Sequence, residues 1–116
     1  MHDGVDLWQS VADALDECAA RVAEMARLGA ELAEAERAYR VAKRTETLWE
    51  RTKGTPVSVI DALVDGKPSV ANARFERDCK QALWDSCREA ALLAKKRADI
   101  CEKQLEREWS DARNAA

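Results

Sequence analysis

Lys53-Gly54-Thr55-Pro56 and Asp65-Gly66-Lys67-Pro68 are the two stretches that decide the fold of this 116-residue chain. They hold both of its prolines, and glycine and proline are the strongest interruptions of helical structure that a sequence carries. Thr55 and Ser69 are placed to act as N-caps of the helices that follow each stretch. The two stretches therefore separate a short middle segment from a long helix on each side.

The segment between the two interruptions is expected to form one or two helical turns. A strand through Val57-Ser58-Val59-Ile60 is the alternative, although a single hairpin gives such a strand no sheet to join. The segment is also rich in apolar side chains, which predicts that it folds over the end of the hairpin or contacts a partner. We expect one helical domain over residues 1–116, with helix 1 at 5–52, a connector at 53–68 containing a short helix at 56–64, and helix 2 at 69–114.

The composition favours long helices. Charged residues make up 35% of the chain, against about 25% in ordinary globular chains, and Ala, Glu, Arg, Lys and Leu dominate. We predict an all-α fold in which two long helices pair antiparallel as a coiled-coil-like hairpin with a short helical connector. Because two paired helices bury only one stripe each, the core is small relative to the entropy lost on ordering. We therefore expect oligomerisation or a partner to complete the hairpin.

Apolar residues recur at alternating spacings of four and three in both long helices, which is the pattern of a packed helical seam. In helix 1 the pattern changes phase beside Gly29, which predicts a three-residue skip with a bend or local weakness. The predicted seam residues are Val11, Leu15, Cys18, Val22 and Met25, then Leu28, Leu32, Ala35, Tyr39 and Ala42, and in helix 2 Trp84, Cys87, Ala91, Ala94, Ala98, Cys101 and Leu105.

The pairing register of the two long helices follows if the ends of the connector pair first, with Lys53 opposite Ser69. Large residues of helix 1 then face the alanine-rich middle of helix 2, as a well-filled core requires. This register predicts three aromatic pairs that mark the ends and middle of the hairpin: Tyr39 with Trp84, Trp49 with Phe75, and Trp8 with Trp109.

Acidic residues and tryptophans form the candidate partner or oligomer interface. Residues 1–36 carry nine acidic side chains against two arginines, a balance of −7, and complementary charge speeds association with a basic target. Tryptophan concentrates in interface hot spots; the alternative for Trp49 and Trp84 is packing inside the hairpin. The candidate interface residues are Trp8, Trp49, Trp109, Asp13, Asp16, Glu17, Glu24 and Glu31.

A basic patch follows in helix 1 and consists of Arg37, Arg40, Lys43 and Arg44. These side chains are suited to phosphates or to an acidic protein face, or, alternatively, to solvated i,i+4 pairs with neighbouring glutamates. The overall charge of −3 and the isoelectric point near 5.3 argue against direct nucleic-acid binding.

The chain carries no catalytic, cofactor or metal-binding signature, so we expect a protein that is not an enzyme and that uses no cofactor. His2 is the only histidine and has no credible orienting partner. The four cysteines are expected to be reduced thiols that act as small core hydrophobes; a bridge or metal site between Cys18 and Cys101 is the alternative.

The sequence has neither a signal-peptide pattern nor an apolar run long enough to span a membrane. We expect a cytoplasmic protein.

Ala38-Tyr39-Arg40-Val41-Ala42-Lys43, the break, and then Val70-Ala71-Asn72-Ala73-Arg74 before an alanine-rich helix resemble the small helical-hairpin accessory proteins of tailed phages and prophages. The resemblance spans most of the chain. It implies a phage or mobile-element accessory protein, of the kind that accompanies recombination genes or inhibits host defence.

The leading functional hypothesis is a non-enzymatic protein-interaction module that inhibits a host defence nuclease or CRISPR complex through protein binding and its acidic surface. Its partner is then a host protein or protein–nucleic-acid complex in the host cytoplasm, with homo-oligomerisation as an additional expectation. The alternative is an oligomeric replication or recombination accessory protein that contacts nucleic acid through the basic patch.

Overall fold

Three helices account for nearly all of the chain in this computed structural model, which describes the backbone of residues 4–115 and the side chains of residues 6–115. They are α1 (Gly4–Thr52), α2 (Val57–Asp65) and α3 (Pro68–Ala115). The predicted all-α hairpin with a short helical connector is confirmed, and the strand alternative for the connector is wrong. His2 lies outside the described residues. None of the helices in the described part of the chain has an apolar stretch sufficient to cross a bilayer.

The ends of the helices differ from the predicted caps. Gly54 follows α1 with a φ of 81°, a conformation that a residue without a Cβ adopts at no steric cost. The Thr55 hydroxyl does not cap α2 but donates to Glu50 Oε2 at 2.6 Å. The Ser69 hydroxyl donates to Glu46 Oε1 at 3.1 Å. Both predicted caps are therefore wrong, because glutamates of α1 bind the two hydroxyl groups.

The packing divides the chain into two compact units, which are described separately. Unit 1 contains residues 4–26 and 86–115. Unit 2 contains residues 27–85 and includes the connector.

In unit 1, α1 and α3 run antiparallel around a small apolar core. Leu7, Val11 and Leu105 form a buried cluster against which Cys101 packs. Farther along, the Cys87 thiol donates to the Arg21 carbonyl oxygen at 3.4 Å. The predicted seam of helix 2 is confirmed here, since its buried positions include Cys87, Ala94, Ala98 and Leu105.

The predicted seam of helix 1 is confirmed at Val11 but wrong at Leu15 and Val22, and the predicted three-residue skip is wrong. Leu15 and Val22 are 54% and 57% exposed, whereas Ala14 is completely buried. Buried Leu28 lies in the same four-three phase as Ala14, so α1 passes Gly29 without a change of seam. A small side chain at a buried position allows two helices to approach closely, and the larger Leu15 is left on the surface.

In unit 2, the connector helix forms part of the core. Ile60 and Val64 of α2 and Val70 of α3 form a buried cluster, and Tyr39 and Ala42 of α1 pack against it. This confirms that the connector folds over the end of the hairpin. Its other apolar side chains, Val57, Val59 and Leu63, are exposed.

The predicted pairing register is wrong in unit 2. The Tyr39 ring stacks on the Arg77 guanidinium, with 4.4 Å from Cζ to the ring centroid, and Trp84 lies against Gly29 instead. Glu50, near the end of α1, pairs with Lys67, just before the start of α3. The register is displaced because Tyr39 packs against the cluster that α2 contributes and not against Trp84. Trp49 and Phe75, a further predicted pair, are both exposed.

The two glycines Gly29 and Gly54 are expected to respond oppositely to substitution by alanine. A Cβ on Gly29 would lie 3.4 Å from Trp84 Nε1, at van der Waals contact, so Gly29→Ala should stabilise α1 by about 0.5–1 kcal/mol through helix propensity. Gly54→Ala should destabilise by about 1–2 kcal/mol because its positive φ is unfavourable with a Cβ. Urea unfolding of both variants measures the two effects, and a destabilising Gly29→Ala would show that Trp84 cannot accommodate the methyl group.

Candidate functional site

The two terminal tryptophans lie on one open depression in the surface of unit 1. Its apolar floor is Val11 and Leu105, and Trp8 and Trp109 are each 64% exposed beside it. Charged side chains complete the rim: Glu102, Glu106 and Arg113. The structure therefore brings Trp8 and Trp109 to one surface, as the sequence predicted, and leaves both indoles largely in solvent.

A second apolar series runs along α1 from Trp8, displaced by one residue from the buried seam. It has the same alternating spacing of four and three, it contains no charged residue, and all its members lie at the surface except Ala12, which is half-buried. We call it the outer stripe; its residues are Trp8, Ala12, Leu15, Ala19, Val22 and Ala26. Sequence reasoning missed it because Leu15 and Val22 were assigned to the inner seam. The sequence does contain both series: one begins Leu7, Val11, Ala14, and the other begins one residue later with Trp8, Ala12, Leu15.

The acidic candidates divide into exposed carboxylates and carboxylates held in ion pairs. Asp13 and Asp16 are exposed, and Asp13 accepts a hydrogen bond from Gln9 at 2.9 Å. Glu17 pairs across unit 1 with Arg97 at 3.3 Å. The remaining two candidates also have basic partners: Glu24 pairs with Arg21 in unit 1, and in unit 2 Glu31 pairs with Arg27 and Lys80.

Three of the four basic candidates, Arg37, Arg40 and Arg44, line one exposed face of α1 in unit 2, beside Val41. Arg37 and Arg40 pair with Glu34 and Glu36 of the same helix at 2.8 and 3.1 Å. Lys43 lies on another side and pairs with Asp65 at 3.6 Å. Arg44 is exposed and makes no ion pair within the described residues. Trp49, the third candidate tryptophan, is also exposed in unit 2.

The end of the hairpin in unit 2 holds a network of charged groups that sequence reasoning missed. Lys67 Nζ lies 2.6 Å from Glu50 Oε1 and 3.0 Å from Glu46 Oε2. The hydrogen bond from Lys67, and after it the one from Thr55, lowers the pKa of Glu50 to about 2. The hydrogen bond from Lys67 also lowers the pKa of Glu46, and the two glutamates raise the pKa of Lys67. Glu50 is 4% exposed, so this network is a structural anchor for the connector.

The four cysteines are free thiols, and Cys87 is the most buried of them. Over the described residues, no group of three or more His, Cys, Asp or Glu side chains is placed to hold a metal ion. The candidate binding surfaces in the described part of the chain are therefore exposed apolar and charged faces of helices.

Comparisons with protein-family models, with curated proteins and with solved structures found no match to this chain.

Proposed function

We propose that this protein is a non-enzymatic protein-interaction module that works by presenting the surface of unit 1 to another protein. The observation that carries the proposal is the exposure of Trp8 and Trp109 on one depression. Large exposed aromatic side chains that lie together are costly in water and are the residues that dominate binding energy at interfaces.

Charge supports a basic target. Among the described residues, unit 1 has 11 acidic and eight basic residues, whereas unit 2 has 10 acidic and 11 basic residues. The net negative charge of the chain therefore resides in unit 1, where Asp13 and Asp16 are exposed on α1 five and eight residues after Trp8. A net charge of this sign accelerates encounter with a positively charged protein surface.

The resemblance to phage and prophage hairpin proteins supports a more specific form of this proposal. A phage or mobile-element protein with an acidic, tryptophan-bearing surface is suited to occupy the basic nucleic-acid channel of a host nuclease or CRISPR complex in the host cytoplasm. Binding there would block the enzyme by excluding its nucleic acid, with no catalysis by the inhibitor.

Two charge-reversal variants test the proposed function. Nuclease cleavage is measured with a panel of purified defence nucleases and CRISPR complexes, and the wild-type protein is expected to inhibit one of them. Asp13→Lys with Asp16→Lys should weaken that inhibition at least about tenfold, because like charges then face each other. The control Asp61→Lys with Asp85→Lys makes the same charge change at exposed positions of unit 2 and should have little effect. Equal effects of both variants, or no inhibition of any target, would contradict the proposal.

A nucleic-acid accessory role is the second candidate, and one observation favours it. Arg37, Arg44 and Arg51 recur every seven residues along the same exposed face of α1, and Arg44 and Arg51 have no ion-pair partner among the described residues. A gel-shift assay at low salt tests this role. Binding that falls steeply with salt and that is lost in Arg44→Glu would support it, and the absence of any shift would eliminate it.

A further inference from the structure

We propose that the outer stripe of α1 is a self-association surface on which a second copy of this chain lies antiparallel, α1 against α1. The proposal goes beyond the proposed function and does not depend on it. The two share Trp8, so a second copy and a target protein would compete for this surface. The partner of this surface must be a helix, because alternating spacings of four and three are the pattern with which one helix packs its side chains between those of another.

The inner seam already meets α3, and the side chains described in unit 1 leave most of the outer stripe uncovered. Trp8, Leu15 and Val22 are each more than half exposed, and they alternate along the helix with the small residues Ala12, Ala19 and Ala26. Six apolar positions spread over about 27 Å of helix are more than the scattered single hydrophobic residues of an ordinary surface.

The order of large and small residues points to a second copy. When two outer stripes pair antiparallel, Trp8 lies against Ala26 of the second copy, Ala12 against its Val22, and Leu15 against its Ala19. The twofold axis repeats these three layers, so every one of the six layers combines one large side chain with one alanine. Large residues opposite small ones allow two helices to approach closely and fill the space between them. In a parallel pairing the same residues meet each other, and the large side chains collide while the alanines leave gaps.

The area is sufficient for a reversible dimer. Because a buried aromatic side chain contributes about 150–250 Å², two outer stripes that cover each other remove roughly 1,000 Å² from water, the lower limit for a specific interface. Such a dimer should form at micromolar concentrations. Trp109 stands on the same depression as Trp8 and adds apolar surface at the edge of the stripe.

Asp16 supplies an internal control on the geometry. It lies beside the outer stripe between Ala12 and Ala19, near the middle of the series. In the antiparallel dimer the two Asp16 carboxylates lie on the same edge, close to the twofold axis, so they repel each other. Asp16→Asn is therefore expected to tighten association about two- to fivefold, and added salt should act in the same direction.

Sedimentation equilibrium of the full chain at micromolar concentrations tests the proposal. The expected particle mass is twice the chain mass of 12.9 kDa. Leu15→Glu should weaken association at least about thirtyfold, because it places a charge in two central layers. The matched control is Leu93→Glu, at an exposed apolar position of α3 in unit 1, which should leave association unchanged. Circular dichroism and urea unfolding confirm that both variants are folded.

The double variant Leu15→Glu with Ala19→Lys tests the direction of pairing. In the antiparallel dimer each glutamate meets the lysine of the other copy, so association should recover relative to Leu15→Glu. In a parallel dimer glutamate would meet glutamate, and no recovery would follow. A single-chain mass at all concentrations, equal effects of Leu15→Glu and Leu93→Glu, or no recovery in the double variant would each overturn the proposal.

Discussion

Ile60→Ala is expected to destabilise the protein by about 2–5 kcal/mol, the cost of removing a large aliphatic side chain from a packed core. Ile60 is 3% exposed and packs with Val64 and Val70. Because α1, α2 and α3 all contribute to this cluster, the cavity would loosen the contact of the connector with both long helices. Urea unfolding monitored by circular dichroism measures the change.

Val57→Ala is the matched control for Ile60→Ala. Val57 lies in the same nine-residue helix but is 80% exposed, so its truncation should change the free energy of unfolding by no more than about 0.5 kcal/mol. If both variants lost the same stability, α2 would not be packed against the hairpin in solution.

The fold could be predicted from the sequence where local chemistry decides it. Gly54 and Pro68 interrupt the helices wherever the chain later packs, because their backbone preferences are local. These are properties of a few neighbouring residues, and the structure agrees with them. The α-helical connector could be predicted for a different reason, because a hairpin of two long helices offers Val57-Ser58-Val59-Ile60 no sheet to join.

The seam of α1 in unit 1 and the pairing register could not be predicted, because they depend on the partner surface. Leu15 and Ala14 are adjacent on α1, and hydrophobicity alone favours Leu15 as the buried residue. The structure buries Ala14, because a small residue there admits the neighbouring helix. The outer stripe could not be predicted for the same reason. Its residues are as apolar as core residues, and only the structure shows that Leu7, Val11 and Ala14 form the core in their place.

The charged network at the hairpin end was equally invisible in the sequence. Glu46 and Glu50 are four residues apart on a helix and resemble an ordinary solvated acidic pair. Only the folded connector brings Lys67 between them. A register in which Lys53 and Ser69 face each other would have left both glutamates without this lysine.

The pKa of Glu50 makes this network a measurable source of acid sensitivity. Its pKa in the folded chain is about 2, below the ordinary value of 4.5 for a glutamate. The group therefore contributes stability that is fully present above pH 4.5 and is lost as the pH falls towards 2. Lys67 has the opposite pH dependence, because its pKa is raised in the folded chain. Its contribution to stability is complete below pH 10.5 and is lost as the pH rises above that value.

Three substitutions should separate the causes of the low Glu50 pKa. Lys67→Met removes the largest one, so the pKa of Glu50 in the folded chain should rise towards its ordinary value of 4.5, and the loss of stability between pH 4.5 and 2 should be distinctly smaller than in the wild type. Thr55→Val removes only the second hydrogen bond and should reduce this loss by less. Glu50→Gln removes the titrating group itself, and its stability between pH 4.5 and 2 should fall less steeply than that of the wild type. Urea unfolding across this pH range, together with the Glu50 carboxyl shift followed by NMR, measures all three. An acid loss of equal size in Lys67→Met, Thr55→Val and the wild type would show that Lys67 does not hold the connector through Glu50. The buried cluster of Ile60, Val64 and Val70 would then be what holds α2 against the hairpin.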